Sequence, residues 1–316
     1  MNQSMEDFIE DRSTVLLDVL FPIGIYVGIL VNIVAIFIWA FGPKSRSICC
    51  ATYFAANAVA DFLTLTMTGL WIIICFTHYN TTCYYSAATC KISNYLQIVL
   101  FQASNWISTT ITVERALTIM FPLKFRSNDM RRHSKYAIPI IVILVLLGNI
   151  PSLYAIIQIE GTVYCQYNND FDNFIYSLIE ITVRSLLPFI TIVTFNCCTI
   201  ATLCKQRRNP VSTNQERYVN VFTRLTLLTG LSFVISNTIG VALSTIYIFG
   251  FEHILHALPL NDSMLFLDLS FMMCYFNCLM NPIISVVVCK SLQEDIKSFL
   301  QRLLRACRRA QHDITP

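Results

Sequence analysis

The residue with the clearest chemical demand is Asp61, which lies in the middle of a long apolar stretch. A carboxylate inside a membrane span costs several kcal/mol unless it is paired or hydrated. Ser104, Asn277 and Asn281 lie in later apolar stretches and are suitable hydrogen-bond partners. We therefore predict a buried polar network around Asp61, which holds either an ion or only hydrogen bonds.

Two pairs of opposite charges occur in otherwise apolar stretches. Glu114 and Arg115 are adjacent, so their charges can satisfy each other. Glu180 and Arg184 are one helical turn apart, a spacing at which side chains on a helix meet. This second pair either forms an internal ion pair or presents its charges to a ligand, and both interpretations remain open.

The sequence gives no sign of an enzyme. It lacks a His-Glu-x-x-His metal motif, a Gly-x-Ser-x-Gly nucleophile motif and a Gly-rich phosphate loop, which mark common catalytic sites. We expect no organic cofactor and no nucleic-acid partner.

Composition predicts a polytopic membrane protein in contact with lipid. Of 316 residues, 55% are hydrophobic and 13% are charged, against roughly 25% charged in soluble domains. A helix needs about 20 apolar residues to cross a bilayer, where lipid offers the backbone no hydrogen-bond partner. Seven segments are long enough to cross. They run near Leu16–Phe41, Cys49–Phe76, Ala87–Phe121, Lys135–Ile159, Phe174–Cys204, Val219–Gly250 and Met264–Val288.

The basic residues predict the orientation of the spans. With the N-terminus outside, 18 of the 22 Lys and Arg residues fall on the inner side, as the positive-inside rule requires. The outer side has eleven acidic residues against Arg12 and Lys91. This acidic rim either attracts a cationic ligand or follows from the same charge bias. We expect a multi-pass plasma-membrane protein with an extracellular N-terminus.

The segment Lys290–Arg305 has apolar residues at helical spacing and basic residues on its other face. That pattern is typical of a helix lying on the membrane surface. The predicted architecture is all-α: an extracellular N-terminus (1–15), a seven-helix bundle (16–288), and an amphipathic eighth helix with a cytoplasmic tail (289–316).

Outer cysteines and sequons are consistent with this topology. Cys90 and Cys165 are candidates for a bridge that pins the loop between spans four and five over the bundle. Cys83 is a free thiol, an alternative partner for this bridge, or one half of a pair with Cys75 near the end of span two. Asn2 and Asn80 lie in glycosylation sequons on the outer side.

An ordered set of motifs resembles the rhodopsin-like G-protein-coupled receptors. The resemblance extends from Val15 to Leu304. It consists of Gly28 and Asn32 in span one, Asn57-Ala58-Val59-Ala60-Asp61 in span two, Glu114-Arg115-Ala116 at the end of span three, Pro122-Leu123 after it, Pro188 in span five and Asn281-Pro282-Ile283-Ile284-Ser285 in span seven. Cys90 also stands 25 residues before Arg115, the spacing of the family's bridging cysteine.

The resemblance implies roles for several of these residues. It implies a sodium ion at Asp61 that favours the inactive state. It implies that Arg115, beside Glu114, moves into a cavity that opens for a heterotrimeric G protein, which is a two-state element of the kind signalling requires. Leu123 is then expected to contact the G protein.

The chain departs from the family's pattern in span six and span seven. Asn237 stands where the family has a tryptophan, no proline follows it in span six, and Ser285 replaces a tyrosine in span seven. We therefore expect a weakened inactive state with measurable basal signalling.

Gln97 stands in the place of the amine-binding aspartate and Tyr275 in that of the retinal lysine, which argues against an amine receptor or a photoreceptor. We predict a peptide receptor, with a cationic neuropeptide as the ligand; a small-molecule chemoreceptor is the alternative, and a transporter or channel is a weaker one. The predicted ligand-binding residues are Trp71, Tyr95, Gln97, Glu180, Arg184, Asp268, Met272 and Tyr275.

Overall fold

The computed structural model describes residues 19–46, 48, 50–77, 87–121, 127–158, 165–167, 175, 178–179, 181–208, 213–248 and 260–314. Within these ranges the chain is almost entirely helical. The long helices are α1 (Phe21–Phe41), α2 (Ala51–Thr77), α3 (Ala87–Met120), α4 (Ser127–Gly148), α6 (Leu187–Arg208), α7 (Thr213–Ile248), α8 (Leu260–Val288) and α9 (Lys290–Ile314). After α4 come a short helix α5 (Ser152–Ala155) and two strands, β1 (Ile156–Gln158) and β2 (Cys165–Tyr167).

Helices α1–α4 and α6–α8 coincide with the seven predicted spans, so the predicted all-helical fold is confirmed. The main difference is in span four. Its helix ends at Gly148, and strand β1 pairs antiparallel with β2 in the region that the sequence assigned to the end of the span and the following loop. Gln158 is opposite Cys165 in this hairpin.

The helices form a closed bundle around α3. Helix α3 contacts α2, α4, α6 and α7, while α8 contacts α1, α2 and α7. The polar side chains of α3 are buried in the bundle, among them Gln102, Ser104, Asn105, Thr109 and Thr112. Large apolar side chains on α1, α4, α6 and α7 point outward instead. Polar groups inside and apolar groups outside is the arrangement that a lipid solvent requires.

Four helices in the described residues are individually long and apolar enough to cross a membrane. A fifth candidate is the end of α8 with the start of α9, two helices that meet at 92°. So sharp a bend indicates a span followed by a helix on the membrane surface rather than one continuous crossing. Helix α9 begins at Lys290, where the sequence placed the eighth helix, and extends to Ile314, beyond the predicted Arg305.

Two prolines inside spans leave carbonyl groups that other helices satisfy. Pro282 has no N–H to donate to the Cys278 carbonyl, four residues earlier in α8. The buried Asn32 of α1 donates to that carbonyl at 3.1 Å and to the Gly28 carbonyl at 2.9 Å. The Asn32 amide therefore links α1 to the proline site in α8.

Pro188 has the equivalent effect near the start of α6. It cannot donate to the Arg184 carbonyl, and the preceding turn, Thr182–Leu186, is a π-helix. Asn105 of α3 donates to the Arg184 carbonyl at 2.9 Å. This irregular turn is thus fixed to the central helix.

The first turn after α1 is joined to α9 through Asp295. The buried carboxylate of Asp295 accepts hydrogen bonds from the backbone N–H of Lys44 and from the N–H and hydroxyl of Ser45, at 2.7–3.1 Å. A Cβ at Gly42 would lie 2.5 Å from Asp295 Oδ2, so glycine is needed for this approach. The neighbouring Glu294 forms an exposed salt bridge with Lys44, and its hydrogen bond raises the pKa of the Lys44 ammonium.

These adjacent acids give a matched test of how α9 is held. We expect Asp295→Ala to lower the melting temperature of the purified protein, because it leaves buried donors unpaired at a cost of about 1–3 kcal/mol each. Glu294→Ala removes only an exposed ion pair, which contributes about 0–1 kcal/mol, and its melting curve should stay near that of wild type. Equal melting temperatures for the two variants would contradict the role of Asp295.

Candidate functional site

Asp61 is the centre of a buried hydrogen-bond network that joins three helices. Its carboxylate accepts from Asn57 Nδ2 at 2.9 Å, from Asn281 Nδ2 at 3.0 Å, and from the Ser104 hydroxyl. Asn57 in turn accepts from the Ser108 hydroxyl at 2.8 Å. Asp61, Ser104 and Asn281 come from α2, α3 and α8, so this carboxylate links all three helices.

Two residues of this network differ from what the sequence indicated. Asn277 is buried, but its side-chain amide has no hydrogen-bond partner among the described residues and does not reach Asp61. Asn57 takes that place instead. Asn57 and Asp61 are separated by four residues of one helix, a spacing that brings side chains together, so the sequence contained the signal.

A small cavity of about 20 Å³ lies against Asp61 and is also lined by Asn57, Ser108, Asn281 and Ser285. It is large enough for one water molecule or a small ion, for which about 10–15 Å³ suffices. The Cys278 side chain is a further hydrogen-bond partner of the Asp61 carboxylate. The oxygen atoms of Asp61, Ser108 and Ser285 in its mainly apolar lining are ligands of the kind that a hard cation such as sodium prefers. Among the described residues, no three His, Cys, Asp or Glu side chains lie where they could hold a metal ion together, so an ion here would need neutral oxygens besides Asp61.

At the inner end of α3, Glu114 and Arg115 are held in the protein interior. Arg115 is buried, and Glu114 accepts a hydrogen bond from the hydroxyl of Tyr53, a fully buried residue of α2. The sequence drew attention only to the adjacent charges. The contact with Tyr53 joins residues 61 positions apart, and no local pattern predicts it. Leu123 lies outside the described residues.

In the outer half of the bundle, four of the side chains near the predicted ligand site form one cluster. Gln97 Nε2 donates to the Tyr275 hydroxyl at 2.6 Å, which joins α3 to α8. The Tyr275 ring packs edge-on against Phe101 at 5.9 Å between centroids. The Arg184 guanidinium lies over the Phe101 ring, 5.3 Å from its centroid. The cluster therefore combines a positive charge, two aromatic rings and an amide.

Other residues predicted to bind ligand are placed differently. Tyr95 donates its hydroxyl to the Leu146 carbonyl of α4 at 2.9 Å, so the structure does not bring it to the Gln97–Tyr275 contact. Residues two positions apart on a helix point about 200° away from each other, which explains why Tyr95 and Gln97 face different neighbours. Met272 is half-buried one turn before Tyr275.

Several predictions fall on parts of the chain that the structure does not describe. Glu180, Asn2 and Asn80 lie outside the described residues, as do the side chains of Trp71, Asp268, Cys90 and Cys165. The Glu180–Arg184 ion pair, the Cys90–Cys165 bridge and the glycosylation sites therefore stay predictions.

The span-six position that departs from the family's pattern is buried. Asn237 donates to the Phe233 carbonyl at 3.0 Å within α7, and its side-chain oxygen has no partner among the described residues. Helix α7 runs unbroken past this point with no proline. Gly230, two turns earlier, allows α6 to approach closely, since a Cβ there would lie 2.3 Å from Asn196 Nδ2.

Comparison with known proteins agrees with this architecture. The family of the 7 transmembrane receptor (rhodopsin family) matches residues 31–284. Lysophosphatidic acid receptor 4 of Homo sapiens is 26% identical over 209 residues, 62% of this chain and 54% of the relative. Chemerin-like receptor 1 of Homo sapiens is 25% identical over 236 residues, 68% of this chain and 62% of the relative. Its counterpart in Sus scrofa is 23% identical over 312 residues, 92% of this chain and 82% of the relative.

The chain belongs to the rhodopsin family of seven-transmembrane receptors. It spans between about half and three-fifths of the length of the two human relatives. Membership makes it a multi-pass transmembrane signalling receptor and not an enzyme, as the sequence predicted.

Proposed function

We propose that this receptor resides in the plasma membrane and couples an extracellular peptide ligand to a heterotrimeric G protein. The observation that most supports this is the family match over residues 31–284 in a chain whose Arg115 is buried at the inner end of the central helix. An arginine in that position is available to an intracellular partner only after a conformational change. Ligand binding outside would supply the free energy for that change.

The charges of the outer side favour a cationic peptide. Eleven acidic residues on the predicted outer side attract a positive ligand. Arg184, over Phe101, supplies the opposite charge deeper in the bundle. A peptide with basic side chains and a terminal carboxylate or amide oxygen is complementary to the acidic rim and to Arg184. Its basic residues would lie at the rim, and its oxygen acceptor would point towards Arg184 and Gln97.

The Asp61 network is the proposed two-state element between the outer ligand site and Arg115 at the inner end of α3. A sodium ion held by Asp61, with neutral oxygens of Ser104, Ser108 and Asn281 as further ligands, would favour the conformation seen in the structure. The ion supplies a positive charge that offsets the buried carboxylate. The neutral side chains orient that carboxylate between α2, α3 and α8.

A small anionic lipid is the second candidate ligand. Arg184 in the outer cluster is suited to a phosphate or carboxylate. One relative is named as a receptor for lysophosphatidic acid. Such a lipid is a small molecule, as in the chemoreceptor alternative predicted from the sequence. Its binding does not involve the acidic residues of the outer side.

The two candidates are separated by challenging receptor-expressing cells with pools of cationic peptides, pools of neutral peptides and lysophosphatidic acid. Sensors for each G-protein class would record activation. We expect a cationic pool to be active and Arg184→Gln to weaken it at unchanged surface expression. A response to lysophosphatidic acid alone would overturn the peptide proposal and support the second candidate.

A further inference from the structure

A large crevice opens on the side of α3 that faces away from the Gln97–Tyr275 contact. It has a volume of about 610 Å³, within the roughly 300–1,000 Å³ typical of small-molecule sites. Ile98, Gln102 and Trp106 of α3 form one wall at four-residue spacing, and Leu144 and Gly148 of α4 form another. Val183 of the π-helical turn closes it on the α6 side.

The crevice is open to the hydrocarbon of the bilayer. Leu144 is 62% exposed and Ile179, on the opposite side, is 51% exposed. Among the described residues that line it, none is charged. This lining suits an occupant that enters from the membrane and is uncharged where it is buried.

The side-chain amide of Gln102 lines the crevice in a fixed orientation. Asn149 Nδ2 donates both to the Val145 carbonyl at 2.7 Å and to Gln102 Oε1 at 2.8 Å. These two bonds fix the Gln102 amide with its oxygen towards Asn149. Its nitrogen then has no hydrogen-bond partner within the described ranges, although Gln102 is only 3% exposed.

Trp106 adds a second donor to the same wall. Its indole N–H has no hydrogen-bond partner in the part of the chain that the structure describes. Gln102 and Trp106 both line the crevice, so an acceptor bound there can receive hydrogen bonds from both N–H groups. Two donors on one wall of an apolar crevice are complementary to a ligand with a carbonyl oxygen and a hydrocarbon chain.

We propose that this crevice binds a single-chain, uncharged membrane lipid whose ester or amide carbonyl accepts from Gln102 Nε2 and Trp106 Nε1. The acyl chain lies along the apolar wall of Ile98, Leu144 and Val183. This site is separate from the proposed extracellular ligand site, and its occupancy does not depend on signalling. A monoacylglycerol is the simplest lipid of this class.

The site is placed to influence the proposed signalling path. Val183 precedes Arg184, whose carbonyl is held by Asn105 and whose guanidinium lies over Phe101. A lipid against Val183 therefore contacts the irregular turn that positions Arg184. Irregular π-helical turns of this kind frequently occur at functional sites.

The test uses the purified full-length receptor in phosphatidylcholine nanodiscs and a monoacylglycerol that carries a diazirine and an alkyne. Gly148→Trp is designed to fill the crevice, since a Cβ at Gly148 meets nothing within 4 Å. Gly24→Trp on α1 is the matched control, because Gly24 is equally open. Trp106→Phe keeps the aromatic bulk and removes only the N–H. Melting curves confirm that each variant is folded.

We expect saturable labelling of peptides from α3 or α4 that unlabelled monoacylglycerol displaces. Gly148→Trp should reduce this labelling about ten-fold, since protein interiors leave little room for added volume, whereas Gly24→Trp should not. Trp106→Phe should weaken binding roughly three- to ten-fold, the worth of one hydrogen bond. Labelling that does not saturate, or that is equal in the two tryptophan variants, would overturn the site. Stronger displacement by lysophosphatidic acid would overturn its preference for an uncharged lipid. Neither result would bear on the proposed peptide and G-protein coupling.

Discussion

Replacing Asp61 with alanine is expected to lower the melting temperature of the receptor more than removal of any single partner of this carboxylate. The substitution leaves the donors of Asn57, Ser104 and Asn281 without their acceptor inside the bundle. Each unsatisfied buried donor costs about 1–3 kcal/mol, so a total loss of at least about 3 kcal/mol follows from the three together. Thermal unfolding of the purified protein in detergent measures this loss.

The controls for Asp61 are graded. Asp61→Asn keeps the shape and one acceptor oxygen, and should fall between wild type and Asp61→Ala. Ser104→Ala and Asn281→Ala each remove one donor and remain measurable if Asp61→Ala fails to fold. Replacing potassium with sodium at constant ionic strength should raise the melting temperature of wild type and have no effect on Asp61→Asn. A sodium effect that persists in Asp61→Asn would exclude Asp61 as its source.

Tyr53→Phe is expected to raise basal G-protein activation about two- to ten-fold, the effect of losing one hydrogen bond of about 0.5–1.5 kcal/mol from one of two conformations. The Tyr53 hydroxyl holds Glu114 towards α2, beside the buried Arg115. Removing it destabilises the resting arrangement. Span six also lacks the proline that is the usual cause of a kink in such a helix, so we expect the basal activity of wild type itself to be measurable.

Tyr26→Phe is the matched control, because Tyr26 lies on the outward face of α1 and its ring is exposed. Nucleotide exchange without added ligand, normalised to the amount of receptor, gives the comparison. A fall in basal exchange for Tyr53→Phe would mean that the hydrogen bond belongs to the signalling conformation instead. Wild-type exchange equal to that of empty membranes would remove the hypothesis of a weakened resting state.

The sequence predicted the features that follow from the lipid environment or from the chemistry of one residue. Seven apolar segments of spanning length identify the helices because lipid leaves the backbone no alternative. Asp61 identifies its network because an ionisable group in a span requires partners. Ser104 and Asn281 were found for that reason. The surface helix was found because the apolar and basic residues of Lys290–Arg305 occupy opposite faces.

Contacts between distant residues were not predictable in this way. Asp295 lies on a mostly polar helix, where an acid is ordinarily solvated, yet it is buried against the turn at Lys44 and Ser45. The Tyr53–Glu114 contact likewise depends on how α2 and α3 pack. The direction of Tyr95 depends on the rotation of α3 in the bundle. That Gln102 and Trp106 line one crevice depends on how α3 packs against α4, which a single sequence does not reveal.

The most direct test of ligand-to-G-protein coupling is nucleotide exchange by purified G proteins on receptor in nanodiscs, with and without the most active peptide pool. Arg115→Ala and Arg115→Lys are compared with wild type at equal amounts of folded protein. We predict exchange above that of empty nanodiscs for wild type, stimulated by peptide, and no stimulation for Arg115→Ala. Exchange no faster than empty nanodiscs with every G-protein class, or full stimulation of Arg115→Ala, would contradict the proposed function.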